Sequence, residues 1–246
     1  MIKINDLHVG VEDKEIIKWI SLDFELGKNY CLLGKNGSGK STLSSFLMGH
    51  PKYRHISGEV SIEGEDLLGK DPEERSAAWL FLSFQHVPEI KGIKLSEYLR
   101  TIYNIHLKQV KADVAELSPF LFKRFIKKYL ESLHIDEKFL ERDLNVGFSG
   151  WEKRKIEILQ MKLIWPKYII LDEIDSGLDL DAFRAVAELL QELSSENNSL
   201  IIITHYFKIL EYIDVDTVYV MKDGEVKATG DKALAKQISE SGFSNI

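Results

Sequence analysis

The sequence predicts an α/β protein in which parallel strands are combined with an antiparallel β portion and a helical subdomain. Two apolar runs, Tyr168–Leu171 and Leu200–Ile203, are continuous rather than alternating, and a helix with one apolar stripe separates them. Such runs indicate parallel strands buried on both faces of a sheet. Val218–Lys227 predicts a hairpin, because two short strands flank a Lys-Asp-Gly turn. From about Leu95 to Ile164 the apolar residues recur at helical spacing, which predicts the helical subdomain.

The remaining elements follow from shorter signals. Further strands are expected at Ile2–Leu7, Ile16–Leu26, Tyr30–Leu33, Gly58–Gly64 and Leu80–Gln85. An early proline and acids in the first turn predict a short helix from Asp71. Ser149 is expected to cap a helix that runs to about Leu163, with Pro166 helping to stop it, and Asp231–Glu240 predicts a closing helix.

Composition limits the class of protein. The chain has 246 residues, a net charge of −7 and a pI near 5.6, which argues against nonspecific nucleic-acid binding. No apolar run is long enough to span a bilayer, and the N-terminus has no signal-peptide pattern, so a cytoplasmic location without membrane insertion is expected. The single cysteine, Cys31, lies in a predicted strand and is expected to be a buried structural thiol.

A glycine-rich segment gives the strongest functional signal. It fits the pattern G-x-x-x-x-G-K-[ST], with the predicted strand Tyr30–Leu33 before it and a helix after it. Glycines let backbone N–H groups approach a phosphate, and the helix N-terminus adds partial positive charge. In such a loop Lys40 reaches the β- and γ-phosphates and the Ser41 hydroxyl ligates Mg²⁺. The expected nucleotide-binding residues are Gly34, Lys35, Asn36, Gly37, Ser38, Gly39, Lys40, Ser41 and Thr42.

Polar residues at the ends of other predicted strands supply the remaining chemistry. Asp172 can hold the Mg²⁺ shell, and Glu173 can polarise an attacking water. Gln85 can contact metal or water, and His205 can bond the γ-phosphate. Each of these alone is more often an ordinary surface residue, and only the constellation favours a functional role.

These residues stand in the order in which an ABC-type ATPase carries its motifs, and the chain resembles that family over nearly its whole length. The resemblance implies the ABC ATPase fold, with a P-loop nucleotide-binding core over residues 1–92 and 166–246. Residues 93–165 would form a helical subdomain carrying the signature motif. The matching motifs are the phosphate loop, Gln85, Phe148–Lys153, Leu171–Glu173, Asp175–Asp179 and Thr204-His205.

Within that family the motif sequences are most similar to those of the SufC proteins, the ATPase subunits of the SUF iron–sulfur cluster assembly machinery. Transporter ATPases more often have Pro-Thr or Pro-Ser where this chain has Asp175-Ser176, and Asp where it has Tyr206. The similarity is carried by Phe84–Gly92, Asn145–Gly150, Asp172–Asp179 and Thr204–Tyr206.

The resemblance implies a site for Mg²⁺-dependent ATP hydrolysis. Glu173 would be the general base, with His205 and Gln85 as the other catalytic residues. The metal would be held by Ser41, Gln85 and Asp172.

The resemblance also implies partners. Two copies would form a transient, ATP-driven homodimer in which Ser149 and Gly150 of one subunit close over ATP on the other. Ser176–Asp179 would couple the two sites. The motion would act on SufB- and SufD-like scaffold proteins, docked on the segment after Gln85, through the helices to about Arg142. The alternative is the nucleotide-binding subunit of a membrane transporter, in which the same helical region would contact a membrane protein.

The chain departs from the family in two places. Residues 8–11 lack the aromatic side chain that often stacks on adenine, which predicts loose base recognition. Trp151 stands where the family has a second glycine, and a ring there would obstruct the approach of backbone N–H groups to the γ-phosphate. Trp19 and Trp79 also stand at usual glycine positions, and Trp165 lies in a turn that suits glycine. Two hypotheses remain open. The four positions are UGA codons, translated as tryptophan although the source reads UGA as glycine, or they are genuine tryptophans of a diverged family member.

Overall fold

The computed structural model describes residues 1–176, 178–205 and 207–245, arranged in two compact units. Gly177 and Tyr206, which belong to the segments that carry the SufC resemblance, lie outside the described residues. The first unit comprises Met1–Gln85, Pro166–Ser176 and Leu190–Ile246, and the second His86–Trp165 and Gly177–Leu189. The assignment of residues 1–92 and 166–246 to a catalytic core stays a prediction.

Twelve strands and seven α-helices make up the described chain. The strands are β1 (Ile2–Val11), β2 (Lys14–Phe24), β3 (Tyr30–Leu33), β4 (Tyr53–Ile62), β5 (Glu65–Asp66), β6 (Leu80–Ser83), β7 (Ile90–Lys94), β8 (Asp143–Leu144), β9 (Tyr168–Asp172), β10 (Ser199–Ile203), β11 (Thr217–Lys222) and β12 (Glu225–Gly230). The helices are α1 (Lys40–Leu47), α2 (Pro72–Ala77), α3 (Leu95–Val110), α4 (Pro119–Ser132), α5 (Gly150–Ile164), α6 (Leu180–Leu193) and α7 (Lys232–Ser241).

The main sheet of the first unit has six strands in the order β12-β11-β3-β10-β9-β6. All neighbours pair in parallel except β11 and β12, which form the predicted hairpin. The apolar runs predicted to be parallel strands are β9 and β10, and Ile170 lies opposite Ile201. Because the strands are parallel, the carboxyl ends of β3, β6, β9 and β10 meet at one edge. The predicted phosphate loop, Gln85, Glu173 and His205 follow those four strands.

A second sheet of the first unit is antiparallel, with the order β2-β1-β4-β5. Its inner face is apolar: Ile4, Leu22 and Val60 are buried. β4 begins at Tyr53, earlier than the expected Gly58, because residues 54–57 are exposed and show no alternation for a sequence pattern to detect. β2 has a bulge, since Leu7 pairs with Ile20 and Val9 with Ile17.

The second unit is mainly helical, with β7 and β8 as a small antiparallel pair. Leu99 of α3, Phe122 and Ile126 of α4 and Leu159 of α5 are buried. Ser149 caps α5 as expected: its hydroxyl accepts from the Glu152 N–H at 3.2 Å. Nowhere in residues 1–176, 178–205 and 207–245 does a helix combine the length and apolar character needed to cross a bilayer.

Candidate functional site

The phosphate loop joins β3 to α1, and close packing fixes its shape. A Cβ at Gly34 would lie 2.4 Å from the Met221 carbonyl oxygen, so only glycine fits there. Gly39 has φ 106° and forms the N-cap of α1 without a side-chain cap. Glycine adopts this left-handed conformation at little cost. The hairpin turn supports the loop from outside, because the Gly224 N–H donates to the Ser38 carbonyl at 3.1 Å.

Lys40, the residue predicted to bind the β- and γ-phosphates, points into the phosphate loop. Its ammonium donates to the carbonyls of Gly34 at 2.8 Å and Lys35 at 3.2 Å, and the residue is 4% exposed. Burial lowers the pKa of Lys40, while Glu173 and Asp172 act in the opposite direction. The buried hydroxyl of Ser38 has no hydrogen-bond partner within the described residues. A phosphate oxygen is a partner of the right chemistry for such a hydroxyl.

Asp172 connects the end of β9 to the first turn of α1. The Ser41 and Ser44 hydroxyls each donate to one of its carboxylate oxygens at 3.0 Å. Burial raises the pKa of Asp172, and these hydrogen bonds oppose the rise. Ser44 was not predicted from the sequence, although its position three residues after Ser41 places both hydroxyls on one helix face. The set of carboxylate and hydroxyl oxygens matches the ligands that Mg²⁺ prefers.

Glu173 contacts both of the other predicted catalytic side chains, Gln85 and His205. The Gln85 amide donates to its Oε2 at 2.5 Å, and His205 Nδ1 lies 3.3 Å from its Oε1. Glu173 is 8% exposed and has φ 47°, whereas the His205 side chain is 53% exposed. A left-handed backbone is costly for glutamate and is typical of functional sites. Both carboxylate oxygens thus already contact side chains of the same site.

A second contact links the segments after β9 and β10. The Thr204 hydroxyl donates to Asp175 Oδ1 at 3.3 Å, and Thr204 is fully buried. Burial raises the pKa of Asp175. Since His205 follows Thr204 directly, this bond fixes the chain beside the histidine.

Ser149 and Gly150 lie in the second unit, at the start of α5. Ser149 and Glu152 form a reciprocal capping box, with the Ser149 N–H donating to Glu152 Oε2 at 2.8 Å. Trp151 occupies the first turn, and the Lys155 ammonium lies 4.8 Å from its ring centre. The contribution of Ser149 and Gly150 to a nucleotide site stays a prediction.

The cysteine lies outside this chemistry. Cys31 is fully buried in β3, and burial raises the pKa of its thiol. In the part of the chain that the structure describes, no cluster of three or more His, Cys, Asp or Glu side chains could hold a metal.

The chain is similar to known ATP-binding proteins. Residues 17–176 match the family model described as ABC transporter. The chain is 42% identical over 243 residues to "Probable ATP-dependent transporter ycf16" of Cyanophora paradoxa, covering 99% of this chain and 93% of that protein. It is 42% identical over 240 residues to "Vegetative protein 296" of Bacillus subtilis, covering 98% of this chain and 90% of the relative.

Solved structures resemble the fold. A nucleotide-free ATP-binding cassette from an ABC transporter aligns with a TM-score of 0.76 at 23% identity, covering 98% of this chain and 95% of that one. The cassette MJ0796, in a dimeric post-hydrolysis state bound to ADP and Pi, aligns with a TM-score of 0.75 at 20% identity. That alignment covers 94% of this chain and 99% of the other. At these identities the likeness concerns the fold, and it confirms the α/β class predicted from the sequence.

Proposed function

The chain belongs to the ABC transporter family and is an ATP-hydrolysing cassette, and we propose that its hydrolysis drives conformational change in a SufB–SufD-like scaffold during iron–sulfur cluster assembly. Such a scaffold would carry the cluster ligands. This chain contributes one cysteine, which is buried. We place the protein in the cytoplasm.

The observation that supports this choice is the bond between Thr204 and Asp175. Transporter ATPases more often have proline where this chain has Asp175, and proline offers no carboxylate to the threonine. Asp175, a residue that distinguishes this chain from transporter ATPases, therefore forms a hydrogen-bonded unit with Thr204 beside His205. The difference at Asp175 therefore alters a contact within the site and is not an isolated change at the surface.

The residues of the first unit divide the chemistry among themselves. Lys40 and the loop N–H groups bind the β- and γ-phosphates, and Glu173 takes the proton of the attacking water. His205 donates to the γ-phosphate. Gln85 and His205 each contact a different oxygen of Glu173, so the carboxylate is held in place and each oxygen keeps a lone pair for a water.

Mg²⁺ fits the oxygen ligands at the end of β9. Ser41, Asp172 and Gln85 would hold it, and bound Mg²⁺ neutralises charge on the phosphates. Asp172 is already oriented by two hydroxyls, so the ligand set requires little rearrangement.

Two copies would complete the reaction. We propose that Ser149 and Gly150 of one subunit contact ATP on the other, in a transient homodimer. We also propose that the segment after Gln85, through the helices to about Arg142, docks the scaffold. A dimer is the state of the similar cassette MJ0796 after hydrolysis.

A transporter subunit is the second candidate, because the similar protein of Cyanophora paradoxa is called a probable ATP-dependent transporter. Purification of the tagged protein from its native source in mild detergent, followed by mass spectrometry, separates the two. Recovery with a cysteine-bearing scaffold that needs no detergent supports cluster assembly. Recovery with a multi-spanning membrane protein overturns it in favour of transport.

The role of Glu173 has its own test. Glu173→Gln should lower steady-state ATP turnover by roughly 100- to 10,000-fold while ATP still binds, because the amide cannot accept the proton of water. The control is Glu192→Gln, the same change at an exposed position of α6, which should turn over as the unmodified chain does. Equal turnover by Glu173→Gln and the control would assign the base to another residue.

A further inference from the structure

Three of the four tryptophans have left-handed backbones. Trp19 has φ 47°, Trp79 φ 72° and Trp165 φ 44°. None of the phenylalanines or tyrosines in the described part of the chain has a positive φ. The other non-glycine residues described with positive φ are acids, an asparagine and a histidine: Asp6, Glu12, Glu63, His134, Asn145, Glu173 and Asp223.

This distribution opposes the intrinsic preferences of the residues. A left-handed backbone brings Cβ close to the following carbonyl oxygen, at a cost that glycine avoids. Short polar side chains tolerate it through local hydrogen bonds, whereas for a bulky side chain it is an outlier. One such tryptophan could be a local accident, but three of four point to a common cause.

Trp19 lies in the bulge of β2. Lys18 and Trp19 together face the single residue His8, between the pairs Leu7–Ile20 and Val9–Ile17. Left-handed residues at bulges are typically glycine. The side chain gains little burial in return, since Trp19 is 72% exposed, and its ring makes a T-shaped contact with His8 at 5.5 Å between centres.

Trp79 connects α2 to β6, and its backbone is held on both sides. Its N–H donates to the Ser76 carbonyl at 3.1 Å, and its own carbonyl accepts from the Lys167 and Tyr168 N–H groups, both at 3.0 Å. These bonds hold the backbone on both sides of Trp79, where the chain enters β6 beside β9.

Trp165 is the C-cap of α5. Its N–H donates to the Met161 carbonyl at 2.9 Å, and Pro166 follows. Left-handed residues at helix ends are usually glycine, and a following proline further restricts any residue with a Cβ. Trp165 is 61% exposed, so burial of the indole does not offset the strain.

We infer that the native protein has glycine at positions 19, 79 and 165, because UGA codons read as glycine in the source have been translated as tryptophan. The same cause would place glycine at position 151. Trp151 is helical, so its backbone alone does not require glycine, and its assignment follows from the shared codon. The signature segment of α5 would then read Ser149-Gly150 followed by a second glycine. The inference does not depend on the proposed function.

The decisive experiment is tandem mass spectrometry of peptides from the protein purified from its own source, beside the codons of its gene. We expect UGA at all four positions and peptide masses with glycine there. Peptide masses that show tryptophan at position 19, 79 or 165 overturn the inference, whatever the codon.

A second measurement tests the backbone argument with recombinant chains. Trp79→Gly should have a folding equilibrium constant roughly 5- to 30-fold above Trp79→Ala, because both remove the ring and only glycine removes Cβ. Trp165→Gly and Trp165→Ala provide a second pair. Phe120, 71% exposed in α4 without a positive φ, is the matched control, and there alanine should be the more stable variant. If the glycine variants are no more stable than the alanine variants at positions 79 and 165, the backbone argument for the inference is wrong.

Discussion

Two helices of the protein begin in opposite ways. α1 follows Gly39 and has no side-chain cap, so its first N–H groups remain available to a ligand. α5 follows Ser149, whose hydroxyl and the Glu152 carboxylate satisfy each other's backbone N–H groups. The difference shows what each start is suited to: at α1 no side chain competes with a phosphate for the first N–H groups, whereas at α5 the N–H groups of Ser149 and Glu152 are already paired, which leaves those of Gly150 and Trp151 and the hydrogen of the Ser149 hydroxyl.

The largest expected effect lies at the open start. Lys40→Ala should weaken ATP binding by roughly 100-fold and abolish measurable hydrolysis, because the phosphates lose a charged donor inside a buried loop. Isothermal titration calorimetry measures the affinity. Lys232→Ala is the matched control, since Lys232 is also the first residue of a helix, α7, but lies 49% exposed beside Asp214. An equal loss in both variants would mean that general electrostatics, and not the loop, binds ATP.

The hydrogen of the Ser149 hydroxyl can be tested separately from the cap. Ser149→Asp keeps a good N-cap but has no hydroxyl hydrogen to donate and adds a negative charge. Turnover should fall roughly tenfold or more while the melting temperature stays near that of the unmodified chain. Ser149→Thr, which keeps both the cap and the hydroxyl, is the control. Normal turnover by Ser149→Asp would remove Ser149 from the nucleotide site.

The proposed metal ligands beside α1 should respond to pH. Burial raises the pKa of Asp172 above the ordinary 3.8, so the carboxyl binds its proton at a higher pH than usual. Only the ionised form ligates Mg²⁺ well, so the gain in ADP affinity from Mg²⁺ should be full at neutral pH and fall as pH drops through that raised pKa. Titrations with Mg²⁺ and with EDTA measure the gain. Asp172→Asn should show little gain at any pH, and a gain in the unmodified chain that persists below pH 3.8 would contradict the assignment.

The smallest effect concerns the cap itself. Glu152→Ala should lower the free energy of unfolding by about 0.5–1 kcal/mol, because the N–H of Ser149, the N-cap of α5, loses its partner. Glu152→Gln should lose less, since glutamine can still accept from the Ser149 N–H. Urea denaturation compares the two. If both variants have the midpoint of the unmodified chain, water replaces the capping box without cost.

The sequence predicts the parts of the site that are local. The phosphate loop, the acids after β9 and the cap at Ser149 each depend on neighbours a few residues away, and the structure places them in the expected elements. Continuous apolar runs also predict parallel strands, and parallel strands bring Gln85, Glu173 and His205 to one edge.

Contacts between distant segments could not be predicted in this way. Ser44 bonds to Asp172, Gly224 supports the loop at Ser38, and Thr204 bonds to Asp175, each over more than twenty residues of chain. Periodicity describes which face a residue occupies and carries no information on which remote side chain will meet it. The strand order of the main sheet could not be predicted for the same reason. β3 lies between β10 and β11, and both of these strands come much later in the chain.

The burial of the single thiol simplifies labelling of the protein for studies of its ATP hydrolysis. Cys31 is sealed inside β3 with a raised pKa, so maleimide reagents should leave it unmodified in the folded protein. A cysteine introduced at an exposed position can therefore carry a fluorophore or spin label by itself, with the native thiol left in place. Distances between such labels on two copies would test the proposed opening and closing of the homodimer directly.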